Sequence, residues 1–383
     1  MTHVYAGAGS NLHLVSALDG TIESTASPCH VRGLACISGD WVLSSQRKEA
    51  AIFVFRRGQK SPHIKCRLSE PIGPITLSPD GSYCFAGGLT GTMYAWELWS
   101  GQLVRTWFGH NKPVRCLGMT DDCSFLVSGG DDSVLSVWCV DDLVDANTGR
   151  AGDAVRERHS WSDHSQPITA LHVGRGGARA RVFTASLDRT ARVYEIFSKQ
   201  LLYTLACGTF LTTVVASPDE WRLFVGSGDG SIVAVDLRVM AATNSSSGDG
   251  GGVIIETGRA HERLEGHAAP VSGLLCADQG TLLVSASEDG TVRCWDVASR
   301  QCIQTTDLKS PVTSIIPSGM VDASDARAGA ASDQDLAPFA PLRKYAQAGA
   351  AGALATYLPV RRFACHHEVG KAAAGSLKRA KHA

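Results

Sequence analysis

The feature that most constrains this chain is a polar pattern that recurs at a fixed period. Its clearest copy runs Gly266-His267, Pro270-Val271, Ser285-Ala-Ser287-Glu-Asp289-Gly-Thr291 and Trp295-Asp296. The same order of residue types appears as Gly109-His110, Pro113-Val114, Ser128, Asp132 and Trp138, and again as His164, Pro167-Ile168, Thr184, Asp188 and Tyr194. In this register, weaker copies end at Leu12-His-Leu-Val15, Ile52-Phe-Val-Phe55, Tyr94-Ala-Trp96-Glu97 and Ala234-Val235-Asp236. The Trp-equivalent positions are therefore Val15, Phe55, Trp96, Trp138, Tyr194, Val235 and Trp295, at successive spacings of 40, 41, 42, 56, 41 and 60 residues. The two long gaps hold insertions at 142–160 and 238–262, the second with a Ser/Gly-rich run at 244–252. Insertions of this kind map to surface loops between units, so the underlying period of about 40–45 residues survives them.

Within a repeat, short apolar runs such as Phe125-Leu-Val-Ser128 and Val134-Leu-Ser-Val-Trp138 are separated by Gly and Asp turn residues, which reads as strands. A four-stranded sheet of this size cannot bury both faces alone, and a closed ring supplies each sheet with two neighbours. The pattern resembles the WD repeat. The expected fold is all-β: a seven-bladed WD40 β-propeller over residues 1–318, followed by a poorly ordered Ala/Gly-rich extension over 319–383 that is basic at its end. The chain begins too late to supply the innermost strand of the first blade, because Val4-Tyr-Ala-Gly7 lies one strand before Val15. Pro311-Val-Thr-Ser-Ile-Ile316 reads as an inner strand with no blade of its own. It is predicted to complete the first blade and close the ring.

Bulk properties agree with a folded core. Apolar residues make up 44% of the chain and charged residues 19%, outside the disordered range, and the 40 glycines suit a fold with many tight turns. A formal net charge of −1 gives no overall basic field for non-specific nucleic-acid binding, so any RNA contact has to be local or made through a partner. The twelve cysteines form no C-x-x-C pair, and several, such as Cys116 and Cys276, fall in apolar runs. They read as small buried hydrophobes in a reducing compartment, with no cluster that suits zinc. The first fifteen residues lack the pattern of a secretory signal, and the uncharged stretch 345–360 is too short to span a bilayer. The expectation is a soluble intracellular protein.

Three repeats carry a full polar set: His110, Ser128, Asp132, Trp138; His164, Thr184, Asp188, Tyr194; and His267, Ser285, Asp289, Trp295. Ser, His and Asp together are also the components of a nucleophilic triad. A catalytic site occurs once, however, whereas this set occurs three times, and no Gly-x-Ser-x-Gly is present. The expected role is structural: Asp accepts from the His ring, His bonds the hydroxyl, and the hydroxyl meets the indole N–H. Blades ending at Val15, Phe55, Trp96 and Val235 lack the full set and are expected to rely on packing. Gly226-Ser-Gly-Asp-Gly230 falls at the turn register and reads as a turn, not a phosphate loop, and His366-His367-Glu368 lacks the spacing of a metal helix. No catalytic residue, metal or cofactor is expected. Partner contacts are expected on the top face, just before the turn Asp and at the start of inner strands, at Lys112, Arg115, Asp131, Leu187 and Glu288. The two insertions are further candidates, with the glycine-rich run reading as a flexible linker.

Several segments are similar to the WD repeat-containing protein 18 family. They are Trp161-Ser-Asp-His164-Ser-Gln-Pro167-Ile-Thr-Ala-Leu-His172, Ala180 through Thr190, Ser128 through Trp138, Val225 through Leu237, Ser299 through Thr313, and Pro338-Phe-Ala-Pro-Leu-Arg-Lys344. The resemblance implies a nuclear scaffold subunit of a complex that matures the large ribosomal subunit and promotes removal of the second internal transcribed spacer. It implies an α-helical-repeat scaffold subunit and an AAA-type ATPase as protein partners, and fungal members are linked to replication licensing. Family members end in a coiled-coil helix, whereas residues 320–383 show no a/d heptads. The basic end from Lys371 to Lys381 suits a solvated tail or an import signal. A second reading is a substrate receptor of a cullin-type ubiquitin ligase, because Val235-Asp236-Leu-Arg238 resembles the Trp-Asp-x-Arg docking motif of such receptors, with Asp236 and Arg238 as the matching residues.

Overall fold

The β-branched and aromatic runs between Gly, Asp and Ser turns assemble into seven sheets in the computed structural model. The structure describes residues 3–9, 11–26, 33–37, 41–46, 49–56, 59, 61–144, 155–238, 253–256, 263–318 and 340–344. Strands are given from the inside outward. Blade 1 is Val312–Pro317, His3–Ala8, Asn11–Ser16 and Ile22–Ala26; blade 2 is Leu34–Cys36, Trp41–Ser45, Ala51–Arg56 and Ile64–Arg67. Blade 3 is Ile72–Leu77, Tyr83–Gly88, Thr92–Glu97 and Leu103–Phe108; blade 4 is Val114–Met119, Phe125–Gly130, Leu135–Cys139 and His159–Trp161. Blade 5 is Ile168–Val173, Arg181–Ser186, Thr190–Glu195 and Leu201–Ala206; blade 6 is Leu211–Ala216, Arg222–Ser227, Ile232–Asp236 and Arg263–Leu264. Blade 7 is Val271–Ala277, Leu282–Ser287, Thr291–Asp296 and Cys302–Asp307.

Each inner strand packs against the inner strand of the next blade, and the last packs against the first. The ring is closed as the sequence predicts. Val312–Pro317, from the far end of the propeller, pairs antiparallel with His3–Ala8, placing Val4 opposite Pro317 and Ala6 opposite Ile315. The other edge of His3–Ala8 pairs with Asn11–Ser16.

The core is divided among the gaps between blades. Among the described residues, seven apolar clusters are present, one for each pair of neighbours. All seven Trp-equivalent positions are buried, and Val15, Trp96, Trp138, Tyr194, Val235 and Trp295 each sit in the cluster shared with the preceding blade. Middle strands are buried on both faces, as in the wholly buried Phe125–Gly130, because each face meets a neighbouring blade.

The insertions depart from the expectation of loops between blades. Each lies inside a blade, between its third and outermost strands, because His159–Trp161 and Arg263–Leu264 follow the insertions in the chain and still pair with their own blades. The connection at that position lies at the rim and can lengthen without opening the ring. The first insertion begins with the short helix Val140–Val144, whose Val140 and Leu143 join the apolar cluster between blades 3 and 4. The second contributes Val253–Glu256 as a fifth, parallel strand on the outer edge of blade 5, with Tyr203 opposite Val253. An outer strand leaves unpaired N–H and C=O groups, and this addition pairs them. The run at 244–252 lies outside the described residues.

Ring closure gives a direct test. Val312 is fully buried between blades 7 and 1. Val312→Asp is expected to destabilise the domain by more than about 3 kcal/mol in urea unfolding, since it buries an unpaired charge at the seam. A chain ending before Val312 is expected to lose its cooperative transition, and an unchanged midpoint in either variant would exclude closure by this strand.

Candidate interaction surface

The recurrent polar residues converge as hydrogen-bonded chains within single blades. In blade 4, His110 Nδ1 lies 3.1 Å from Asp132 Oδ1, His110 Nε2 lies 2.7 Å from Ser128 Oγ, and the Trp138 indole donates to Ser128 Oγ at 2.9 Å. Blade 7 repeats this with distances of 3.0 Å for His267–Asp289, 2.7 Å for His267–Ser285 and 2.8 Å for Trp295–Ser285. A carboxylate can only accept, so the His proton sits on Nδ1, Nε2 accepts the hydroxyl proton, and the hydroxyl oxygen accepts from the indole. In blade 5, His164 bonds Asp188 at 2.9 Å and Thr184 at 2.8 Å. Tyr194 does not take the indole's place there: Thr184 is 3.3 Å from the Arg192 carbonyl, and the Tyr194 ring packs on Trp161. Ser128, Thr184 and Ser285 are buried, and their hydroxyls are committed within these chains, so none is presented as a nucleophile.

The electrostatics follow from the same bonds. Burial pushes the Asp289 carboxyl up, but bonds from Thr291, Ala268 and His267 outweigh it and hold its pKa down at about 2. Asp132 and Asp188 are lowered in the same way, against desolvation, by bonds that include His110 and His164. Burial lowers the pKa of His267, which the neighbouring Asp289 opposes.

Blade 3, which lacks this set, ties its entering loop differently. Glu70 accepts from the Tyr94 hydroxyl and the Thr90 hydroxyl, both at 2.7 Å, and from the Thr90 N–H at 3.1 Å. This carboxylate falls outside the repeated polar set, and its signal in the sequence is the acid immediately before Pro71, one residue from the inner strand.

Four of the five residues expected on the top face line one cavity at the mouth of the central channel, with a volume of about 320 Å³: Arg115, Asp131, Leu187 and Glu288. Lys112 is exposed beside it, next to the lining residue Pro113. Arg115 Nε donates to Asp131 Oδ1 at 2.7 Å. The rim also contains Pro74, Pro113, Pro167 and Pro270, with the hydroxyls of Thr169, Thr212, Ser272 and Thr313 just inside. The Thr169 hydroxyl lies 2.9 Å from the Leu211 carbonyl of the next blade, and Thr212 bonds the Val271 carbonyl of the blade after that. The Thr169 and Thr212 hydroxyls thus stitch neighbouring inner strands together, whereas Ser272 and Thr313 donate to the Ala286 and Gly7 carbonyls of their own blades. Their signal in the sequence is a position two residues after a proline at Thr169, Ser272 and Thr313, which falls outside the repeated polar set.

The adaptor-like pair lies apart from the mouth. Asp236 accepts from the Arg238 N–H at 2.8 Å. The Arg238 guanidinium sits over Trp221, 5.0 Å from the ring centre, and 3.5 Å from Asp219. Both Asp236 and Arg238 are exposed. Gly230 forms a turn at φ +87°, where a Cβ would lie 2.4 Å from the His267 carbonyl oxygen, so the Gly226–Gly230 motif serves close backbone packing. Residues 366–368 and the basic end lie outside the described residues. Among the described residues, no cluster of three or more His, Cys, Asp or Glu is placed to hold a metal ion, and no helix is long and apolar enough to cross a membrane.

Comparison with known proteins agrees with this geometry. The family model "WD domain, G-beta repeat" matches residues 101–139 and 258–296. Among full-length relatives, WD repeat-containing protein 18 of Bos taurus is 36% identical over 74% of this chain and 63% of its own length. The human protein of the same name has the same identity and coverage. The chain is similar to the WD repeat-containing protein 18 family over about three quarters of its length. The pre-rRNA-processing protein IPI3 of Yarrowia lipolytica is 30% identical over 72% of this chain and 63% of its own length. The chain thus spans 63% of the length of these relatives. The two matched repeats end just past Trp138 and Trp295, and the first opens at the outer strand of blade 3. The sequence repeat is therefore staggered by one strand against the blade, as the closing strand of blade 1 requires.

Two tests follow from the polar chains. Ser285→Ala and Ser128→Ala are each expected to cost about 1–3 kcal/mol in chemical denaturation by orphaning a buried imidazole and indole, and Thr184→Val less, since no indole bond is lost. Acid should destabilise the fold in two stages. His267 has a lowered folded pKa, so its contribution is complete above about 6.5 and is lost as pH falls below that value. The lowered carboxylates contribute above about 4 and lose that contribution as pH falls towards 2. Thermal melting against pH is expected to fall in both windows, and His267→Gln should shrink the upper one without abolishing it, because burial also lowers the pKa values of His13, His159 and His172.

Proposed function

We propose that this protein is a non-catalytic interaction scaffold in ribosome biogenesis. In this reading it supports pre-rRNA processing at the second internal transcribed spacer and maturation of the large subunit in the nucleus. The observation that carries the proposal is its similarity to proteins named for pre-rRNA processing, including IPI3 and the crb3/ipi3 protein of Schizosaccharomyces pombe, which is 26% identical over 80% of this chain. The chemistry of the ring supports a binding role, because the recurrent Ser, His and Asp residues bond one another instead of facing a cleft. A rigid ring with a mouth of mixed apolar and charged residues suits protein segments as ligands. The proposed partners are an α-helical-repeat scaffold subunit and an AAA-type ATPase on the precursor particle, with RNA contacted through them.

The alternative of a cullin-type ligase receptor rests on exposed Asp236 and Arg238. Arg238 is engaged by Trp221 and Asp219 of its own blade. Affinity purification with mass spectrometry separates the two readings. Large-subunit precursors and a helical-repeat protein are expected, and depletion should accumulate spacer-containing precursor RNA. Recovery of a cullin adaptor that is lost on Arg238→Ala, with unchanged RNA processing, would replace the ribosomal reading. Leu187→Asp combined with Arg115→Glu is expected to weaken partner recovery at least about tenfold while leaving the melting temperature nearly unchanged, as for exposed or half-buried contact residues.

A further inference from the structure

Blade 3 carries a buried Trp96 with no acceptor in its own blade. The position that holds Ser128 or Ser285 in blades 4 and 7, ten residues before the Trp, is Ala86 here. The Trp96 indole N–H nevertheless has a partner: it donates to the carbonyl of Arg343, 247 residues later in the chain, at 3.0 Å. The expectation that this blade relies on packing within the repeat is thus corrected: residues 340–344 complete it.

These five residues lie along the turn after the third strand of blade 3. Ala340 N–H donates to the Trp99 carbonyl at 3.3 Å, and Arg343 N–H to the Gly101 carbonyl at 2.7 Å. Leu342 is 4% exposed and joins the apolar cluster between blades 2 and 3, with Trp41, Cys66, Leu68, Trp96 and Leu103. Its N–H lies 3.3 Å from Cys66 Sγ. Gly101 is fitted to the passing chain. It has φ +65°, but Lys199 and Arg300 hold the same left-handed conformation at the same turn position in blades 5 and 7. What Gly101 adds is space: a Cβ there would lie 2.2 Å from the Pro341 carbonyl oxygen.

We propose that the groove between blades 2 and 3 is a binding site for an extended peptide, filled in cis by residues 340–344. This clasp lies at the end of blade 3 opposite the channel mouth. The direction follows from the strand order. Leu89, in the turn before the third strand, lines the mouth, and the strand Thr92–Glu97 runs from there to the turn that holds the clasp. The main-chain bonds and one buried leucine give the groove its preference: a Leu flanked by residues whose backbone stays extended, with the following carbonyl presented to an indole.

The test uses the full chain and two local probes. Solvent exchange of the Trp96 indole N–H, read by NMR against Trp138 and Trp295, reports the Arg343 bond. Alkylation of Cys66, whose thiol burial pushes up to about 11, reports the Leu342 cover. Leu342→Asp is expected to speed both at least about tenfold, with the Trp138 and Trp295 indoles unchanged, as a local opening requires. Leu342→Ala and Gly101→Ala should give smaller increases at the same two sites, and Lys199→Ala none. If Leu342→Asp fails to fold, the two milder variants decide. Unchanged Trp96 exchange and Cys66 alkylation in all folded variants, or an equal rise at all three indoles, overturns the proposal.

Discussion

The ladder between Val312–Pro317 and His3–Ala8 is the interaction on which the other blades depend. Among the described residues no blade has a core of its own; each buries its faces against two neighbours, through seven separate clusters. Opening the ring at blade 1 would expose the cluster shared with blade 7 and loosen the smaller one shared with blade 2. A backbone pairing between distant parts of the chain thus turns seven marginal sheets into one cooperative unit.

Inside that ring, the blades solve one local problem in several ways. A Trp at the third strand fills the gap to the preceding blade, but it brings an N–H that needs an acceptor when buried. Blades 4 and 7 supply a serine hydroxyl, itself held by His and Asp. Blade 5 uses Tyr194 and keeps the His–Asp–Thr chain without the final bond. Blades 1, 2 and 6 place Val15, Phe55 and Val235 there, which carry no donor. Blade 3 keeps the Trp, lacks the hydroxyl, and takes a backbone carbonyl from residue 343. The His, Ser and Asp residues that suggest catalysis in a linear reading are therefore parts of the frame.

The strand pattern, the number of blades and the need for an inner strand from the C-terminal side were legible in the sequence, because each depends on residue types at fixed offsets along one chain. The three polar sets were legible for the same reason. Arg115, Asp131, Leu187 and Glu288 could be nominated from register, since turn position determines which end of a blade a residue occupies. What the repeat could not show were contacts between residues with no common period. Glu70 acts through Tyr94 and Thr90 from outside the repeated set, and Val253–Glu256 pairs with a blade other than the one it interrupts.

By itself, the sequence determined that this protein is a closed ring of WD repeats, because the spacing of Trp-equivalent positions and the orphan inner strand permit no self-sufficient smaller unit. Tertiary structure decided where the insertions lie and how blade 3 is completed. It also decided that residues 340–344 belong to the groove between blades 2 and 3. Those outcomes rest on a buried indole donor, a leucine-sized gap and a glycine with space for a passing carbonyl, and such complementarity exists only once distant segments are brought together.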